Sequence, residues 1–324
     1  MSPKISIIIL NWNNYEDTKE CFESLEKVTY PNCEVVFVDN ASTDGSAEKL
    51  QKEFPHHPFV QTGANLGFSG GCNAGINYAI KNGADYIMLL NNDTTVKEDF
   101  LEPLIKAFER DHKIGVVGGK AYYYDDPKRI HMAGAEMDWL RASYKRYGDN
   151  QIDRGQFDTA REVGFVSAYF MLVKKQVFAD IGMLSEDYFG GVEECEFVVK
   201  VKRKGYKIYY VPESVIWHKI SRSFKPGTPR GIYNCYRNKL IFMRKFLPPL
   251  KWQFWRLGFY LYAKSYAPFK RLIRSRKYNQ QVNLKMFKIA VDRALKDGKV
   301  KNVVTLEDLE EIDRIIFRAN LNCK

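Results

Sequence analysis

What this 324-residue chain lacks narrows its class before any motif is read. No stretch reaches the ~18 uninterrupted apolar residues that a membrane-spanning helix requires. The N-terminus lacks the basic-then-apolar pattern of a secretory leader, so the expectation is a cytoplasmic protein that does not cross a membrane. Cysteine is sparse: Cys21, Cys33, Cys72, Cys195, Cys235 and Cys323 are scattered without a CxxC pair, which speaks against a zinc knuckle or redox dithiol and leaves them reduced and structural. Acids are missing altogether from Ser214 to Val291, a span that carries 18 Lys and Arg. Against a whole-chain net charge of +11, the remainder is therefore mildly acidic and the C-terminal part strongly basic. That asymmetry points to an anionic partner, and because no nucleic-acid-binding motif is present, an anionic membrane surface ranks ahead of nucleic acid. A composition of 45% hydrophobic and 27% charged residues excludes disorder and supports a sizeable core.

What is present is organised around Tyr86-Ile87-Met88-Leu89-Leu90-Asn91-Asn92-Asp93-Thr94, where an unbroken apolar run delivers an acid. A continuous apolar run predicts a parallel strand covered on both faces, whereas alternation would predict one wet face. Two earlier segments have the same design: Ile5 to Leu10 empties into Asn11-Trp12-Asn13, and Val35 to Val38 empties into Asp39-Asn40-Ala41-Ser42. Open α/β sheets bind ligands outside the carboxyl ends of their strands, so three such ends predict one polar site.

Helical spacing predicts a helix from Tyr15 to Val28, a second from the Ser42-Thr43-Asp44-Gly45-Ser46 cap through Phe54, and a short strand at Phe59-Val60-Gln61. Asn65 to Gly75 reads as a glycine-rich turn entering a helix through Lys81, where the backbone could approach a phosphate; an ordinary tight turn is the competing reading. Further along, the pattern predicts a helix over Lys97 to Asp111, a short strand at Ile114 to Gly118, an irregular polar and aromatic segment from Tyr122 to Glu162 assigned to acceptor binding, and a strand over Val163 to Val173. A short helix over Lys175 to Ile181 follows. Glu193, Glu194 and Glu196 open a helix to about Lys204, and their position suits helix-dipole stabilisation as well as catalysis. Strands at Lys207 to Val211 and Ser214 to Trp217 lead to the isolated His218.

From Gly231 onward the chain reads as helical and basic. Trp252, Trp255, Phe259, Tyr262, Tyr266 and Phe269 form an aromatic stripe flanked by Arg256, Lys264, Arg271 and Arg274, with Pro268 expected to kink or end the helix. Such a stripe predicts residues 249–277 lying in a membrane interface, against the alternative of packing within the protein. Leu306, Leu309, Ile312 and Ile316 share one face of a final amphipathic helix.

Taken together, Asn11-Trp12-Asn13, the run Val38 to Ser46, the pattern Asn65-x-Gly67-Phe68-x-x-Gly71-x-Asn73-x-Gly75, Leu90 to Thr94, and Glu193-Glu194-Cys195-Glu196 resemble the inverting glycosyltransferases of family 2, particularly the rhamnosyltransferase-like branch. The resemblance covers roughly residues 4 to 223. It implies a GT-A-like α/β fold, a mostly parallel sheet flanked by helices, with catalytic residues 1–223 (nucleotide-sugar half about 1–120, acceptor half about 121–223) and a basic helical extension over 224–324. The implied donor is a nucleotide-diphosphate sugar and the implied acceptor a glycan or lipid-linked hydroxyl, with the enzyme peripheral on the inner face of the membrane.

On this resemblance Asp39 holds the base, with Asn11, Asn13, Asn40, Asn65, Gly67, Asn73, Asn91 and Asn92 in the donor pocket. Asp93 binds a divalent cation, Mg²⁺ or Mn²⁺, and His218 faces that metal or the diphosphate. The second acid of the Glu193-Glu194 pair is the general base. The sequence departs from the family pattern in having one Asp where two are usual at the metal and Glu where Asp is usual at the base; either Glu193 or Glu194 can occupy the productive position. A nucleotide-sugar-binding or scaffold protein that has lost catalysis is the alternative.

Overall fold

The computed structural model describes residues 2–220, 228–268 and 284–321. The chain divides into two compact units, Met1–Ser185 with Glu193–Ser221, and Glu186–Val192 with Arg222–Lys324. The loop Glu186–Val192, grouped by sequence with the catalytic half, thus goes with the second unit.

The first unit begins with the predicted alternation: β1 (Ile5–Asn11), α1 (Tyr15–Leu25), β2 (Cys33–Asp39), α2 (Ser46–Glu53), β3 (Phe59–Gln61), α3 (Gly67–Lys81) and β4 (Tyr86–Asn91). These four strands are parallel in the order β3-β2-β1-β4, with Asn11 in register with Asp39 and Leu10 with Asn91. The three polar strand ends therefore lie side by side. The apolar strand residues are buried on both faces, as continuous rather than alternating hydrophobicity dictates.

Beyond β4 the sheet becomes mixed. After β5 (Thr94–Val96), α4 (Leu101–Arg110) and β6 (Ile114–Tyr123) come four short strands, β7 (Asp126–Met132), β8 (Ala135–Asp138), β9 (Ser143–Arg146) and β10 (Gln151–Ile152), then β11 (Arg161–Glu162) and β12 (Phe170–Lys174). Following α5 (Lys175–Ile181) and α6 (Glu193–Arg203), β13 (Lys207–His218) completes the unit. β12 runs antiparallel between β4 and β6, and β13 pairs in parallel with β6 and antiparallel with β5.

Several expectations are corrected here. Residues 122–162 are not an irregular lid: β6 extends to Tyr123 and antiparallel strands occupy much of the rest. The strand expected over Val163 to Val173 starts only at Phe170, and the two strands expected before His218 are one, with a register shift between Val211 and Val215. The glycine-rich stretch is helical from Gly67 onward, so its turn is confined to the residues just before it. Gly67 starts α3 at φ +70, and a Cβ on Gly71 would lie 2.4 Å from Leu10 while one on Gly75 would lie 2.4 Å from Ile8 and 2.9 Å from Val38. Those glycines let α3 lie directly on β1 and β2.

The second unit contains α7 (Pro229–Phe246), α8 (Pro249–Leu261), a π turn at Tyr262–Tyr266, and the helices Leu284–Asp297 and Leu306–Leu321. No helix among the described residues is long and apolar enough to cross a membrane. The aromatic stripe turns inward at its start: Trp252 is buried beneath the Arg244 guanidinium, the half-buried Trp255 and Phe259 stack with centroids 4.7 Å apart, and Phe259 meets Tyr236 of α7. Tyr262 and Tyr266 remain exposed; Phe269, Arg271 and Arg274 lie outside the described residues. The outward face of α8 is instead a row the aromatic pattern obscured, Leu250, Phe254, Leu257 and Leu261, which are 70%, 70%, 60% and 57% exposed.

Candidate active site

At the ends of β1 and β2 the polar side chains are committed to one another. Asn11 donates through Nδ2 to Asp39 Oδ1 (3.1 Å), Ser42 Oγ (3.1 Å) and Ser46 Oγ (2.9 Å), and accepts from Thr18 Oγ1 (3.0 Å). Asp39 is fully buried and also accepts from the Ser42 backbone N–H and hydroxyl. Asn13, in the left-handed region at φ 53, accepts from Thr43 N–H at 2.7 Å. Asn40 grips the approach to α3, donating to Asn65 Oδ1 and to the Gly67 carbonyl and accepting from Leu66 N–H. Asn65 then accepts from Gly67 N–H, capping the turn. Asn11, Asn13, Asp39, Asn40, Asn65 and Gly67 are thus brought together, and their bonds fix the loops that follow β1 and β2. Asn73 is not among them: buried, it donates to the Leu184 carbonyl (2.9 Å) and accepts from Leu184 N–H (3.1 Å), tying α3 to the loop after α5.

The end of β4 carries the charge. Asn92 donates to Thr18 Oγ1 at 2.7 Å, and the Asn91 carbonyl accepts from Thr94 Oγ1 at 2.6 Å, which pins the turn that presents Asp93. Asp93 is buried with His218 Nε2 3.0 Å from its Oδ1, because β13 pairs Thr94 with His218. Burial alone would push the Asp93 carboxyl up; the hydrogen bond and charge of His218, with help from Asn91 and a backbone N–H, outweigh it and hold the carboxyl below the ordinary Asp range.

Two residues that sequence reasoning missed complete this cluster. Tyr169 packs its ring 4.4 Å from that of His218, and His131 of β7 lies 5.2 Å from both rings. His218 Nδ1, His131 Nδ1 and the Tyr169 hydroxyl are buried without a hydrogen-bond partner among the described residues. Burial, with the neighbouring His218 charge, lowers the His131 pKa to about 2, so it is neutral. The one available signal was a lone His and a lone Tyr inside otherwise apolar runs.

The three acids of α6 separate as helical geometry requires, since positions three apart share a face and adjacent ones diverge by about 100°. Glu193 and Glu196 are buried together, Glu196 paired with Lys200 at 2.7 Å, while the Glu193 charge adds to burial in raising the Cys72 thiol. Glu194 points elsewhere: its Oε2 accepts from Ser167 Oγ at 2.7 Å and from Ala168 N–H at 2.8 Å. Glu194 is half-buried, and desolvation raises its pKa above the ordinary Glu value despite the donors Ser167, Ala168 and Tyr144 and the charge of His218. Ser167, Ala168 and Tyr169 therefore form a strap: Glu194 holds its first two residues, the third stacks on His218, and the Tyr169 carbonyl accepts from Asn91 N–H.

This donor set fits a divalent cation that takes most of its ligands elsewhere. Asp93 and His218 are adjacent, the orphaned His218 Nδ1 and Tyr169 hydroxyl mark an incompletely satisfied polar site, and among the described residues no third ligating side chain converges with them. Mg²⁺ and Mn²⁺ are commonly held by one or two protein groups together with phosphate oxygens and water.

A parallel sheet with an acid at the end of its fourth strand, backed by a mixed sheet and a carboxylate-bearing helix, defines a GT-A-like glycosyltransferase fold. A sequence profile described as glycosyl transferase family 2 matches residues 6–182, more than half of the chain, and the chain belongs to that family. It is 26% identical over 215 residues to the poly-beta-1,6-N-acetyl-D-glucosamine synthase of Staphylococcus aureus (strain COL), covering 66% of this chain and 49% of that protein. The Staphylococcus epidermidis synthase is 23% identical over 249 residues, 76% of this chain and 57% of its own. The chain thus spans about half the length of these relatives. Among solved structures, GalNAc-T7 with UDP, GalNAc and Mn²⁺ superposes with a TM-score of 0.64 at 16% identity, covering 88% of this chain and 56% of that one. A mannosyltransferase from Pyrobaculum calidifontis with GDP-Man and Mn²⁺ gives 0.54 at 15% identity, covering 93% and 87%. At these identities the superpositions speak to the fold.

Proposed function

We propose that this family 2 glycosyltransferase moves a sugar from a nucleotide-diphosphate donor to a hydroxyl of a glycan or lipid-linked acceptor, with inversion at the anomeric carbon. The observation that carries the reading is the 167–169 strap, which joins a carboxylate of raised basicity, Glu194, to the Asp93–His218 pair. In this reading Glu194 is the general base that takes the acceptor proton as the hydroxyl attacks, a role typically worth ~10²–10⁴-fold. Asp93 and His218 would hold a divalent cation, which when bound neutralises charge developing on the leaving diphosphate. Asp39, with Asn11, Asn13, Asn40 and Asn65, forms the wall on the nucleotide side, and Asn91 and Asn92 position Asp93. Glu193, buried beside Cys72, is structural.

Rhamnose is the sugar the sequence resemblance suggests, whereas the relatives are named as synthases of poly-beta-1,6-N-acetyl-D-glucosamine; dTDP-rhamnose and UDP-N-acetylglucosamine are the donors to set against each other. We further assign the chain to an anionic membrane surface, the inner face of the cell membrane, through the exposed α8 row beside an acid-free basic span.

Thermal shift against dTDP-, UDP- and GDP-sugars with Mg²⁺ or Mn²⁺, followed by nucleotide release in the presence of glycan and lipid-linked acceptors, tests the proposal, because only ligands that prefer the native state stabilise it. Stabilisation by a nucleotide sugar together with acceptor-dependent release is expected. Stabilisation without release under any acceptor favours a non-catalytic binding protein, and the absence of both overturns the reading.

A further inference from the structure

We propose that Glu26, His56 and His57 form a second metal site, selective for a zinc-class ion, that clips the end of α1 to the loop between α2 and β3. The three are remote from the candidate active site. They precede β3 or follow α1, at the amino ends of the parallel strands, whereas Asp39 and Asp93 lie at or beyond the carboxyl ends.

The site is built before any ion arrives. Pro55 and Pro58 bracket the two histidines and restrict the loop backbone. His57 is clamped, its ring stacked on Phe54 (5.9 Å, 3°) and set edge-on against Phe22 at 4.9 Å. It is 9% exposed, and its Nε2 is buried with no hydrogen-bond partner among the described residues. That nitrogen lies 3.3 Å from Glu26 Oε1, and His56 Nε2 reaches the same oxygen at 2.8 Å. One ligand atom from each of the three residues falls within 4.8 Å of the others. Tetrahedral zinc with bonds of about 2.0–2.2 Å places its ligand atoms about 3.3 Å apart, so His57 and Glu26 are already spaced for it, and the exposed His56 has only to back away slightly.

Two imidazoles and one carboxylate suit Zn²⁺ or its transition-metal neighbours, whereas Mg²⁺ prefers all-oxygen sites and should bind this cluster weakly. A water completes the fourth position.

The test uses the full chain without a histidine tag, stripped of metal, with Zn²⁺ as the titrant in calorimetry and Co²⁺ as the visible-absorption probe. Asp93→Asn removes binding at the donor site. Wild type and Asp93→Asn should both take up one tight Zn²⁺ and give the absorption of tetrahedral Co²⁺. Even an outer-sphere partner is worth about 10–100-fold in affinity, so Glu26→Gln and His56→Gln, both at exposed positions, should each weaken Zn²⁺ at least ~10-fold and lose the Co²⁺ bands while transfer activity in Mg²⁺ is unchanged. Zn²⁺ binding that is absent in Asp93→Asn, or is unaltered by Glu26→Gln and His56→Gln, overturns the proposal.

Discussion

At Glu194 the competition between desolvation and hydrogen bonding sets the acidity of the proposed base. The carboxyl must be ionised to act, and its pKa is raised, so turnover should fall as pH drops through a value above the ordinary Glu range. Ser167 donates to the ionised form; Ser167→Ala removes that support and should move the acid limb of the kcat–pH profile to still higher pH. A limb that stays put would contradict the assignment. Asn73 makes a contrasting prediction: it is bonded to both the carbonyl and the N–H of Leu184, so Asn73→Ala should cost about 1–3 kcal/mol in urea denaturation and leave donor affinity near wild type. Asn73 and Asp39 both sit in the motifs, yet only the fold shows that Asn73 is bonded to Leu184 and Asp39 to Asn11 and Ser42. His131 and Tyr169 stayed illegible for the opposite reason: they belong to no motif, and the antiparallel pairing of β7 and of β12 with β6 brings His131 and the residue before β12 to His218 from distant sequence.

At the level of elements, strands with continuous apolar runs were readable almost to the residue, as β4 shows, because burial on both faces leaves no other periodicity. The glycines of α3 were not, since a glycine signals close approach without saying to what. Here the neighbour is sheet, so Gly75→Ala should overpack against Ile8 and Val38 and destabilise by about 1–3 kcal/mol; an unchanged denaturation midpoint would contradict that packing. In α8 the aromatic stripe hid a second row, because Phe259 packs on Tyr236 of α7 while Leu250, Phe254, Leu257 and Leu261 face outward. The exposed row makes the sharper prediction: Phe254→Ser with Leu257→Ser should abolish co-sedimentation with anionic vesicles, while wild-type binding rises with anionic lipid and falls with salt, as screening over about 8 Å demands. Equal sedimentation of the variant and wild type would remove α8 from the membrane surface.

For the whole molecule, the parallel strands and the convergence of their polar ends followed from the sequence, because βαβ connections and strand-end chemistry are local signals, whereas the strand order came from the structure. The mixed half did not, since short polar strands such as β8 and β9 exist only through their partners. The central claim is that one carboxylate, Glu194, performs chemistry while the Asp93 pair serves the donor, and parallel measurement of donor affinity by calorimetry and turnover by nucleotide release tests it most directly. Glu194→Gln keeps the side chain's shape and removes its basicity; it should lower turnover at least ~100-fold with donor affinity near wild type, whereas Asp93→Asn or a chelator should remove the dependence on divalent ion together with turnover. Full turnover in Glu194→Gln, or full wild-type activity in the chelator, would contradict the account.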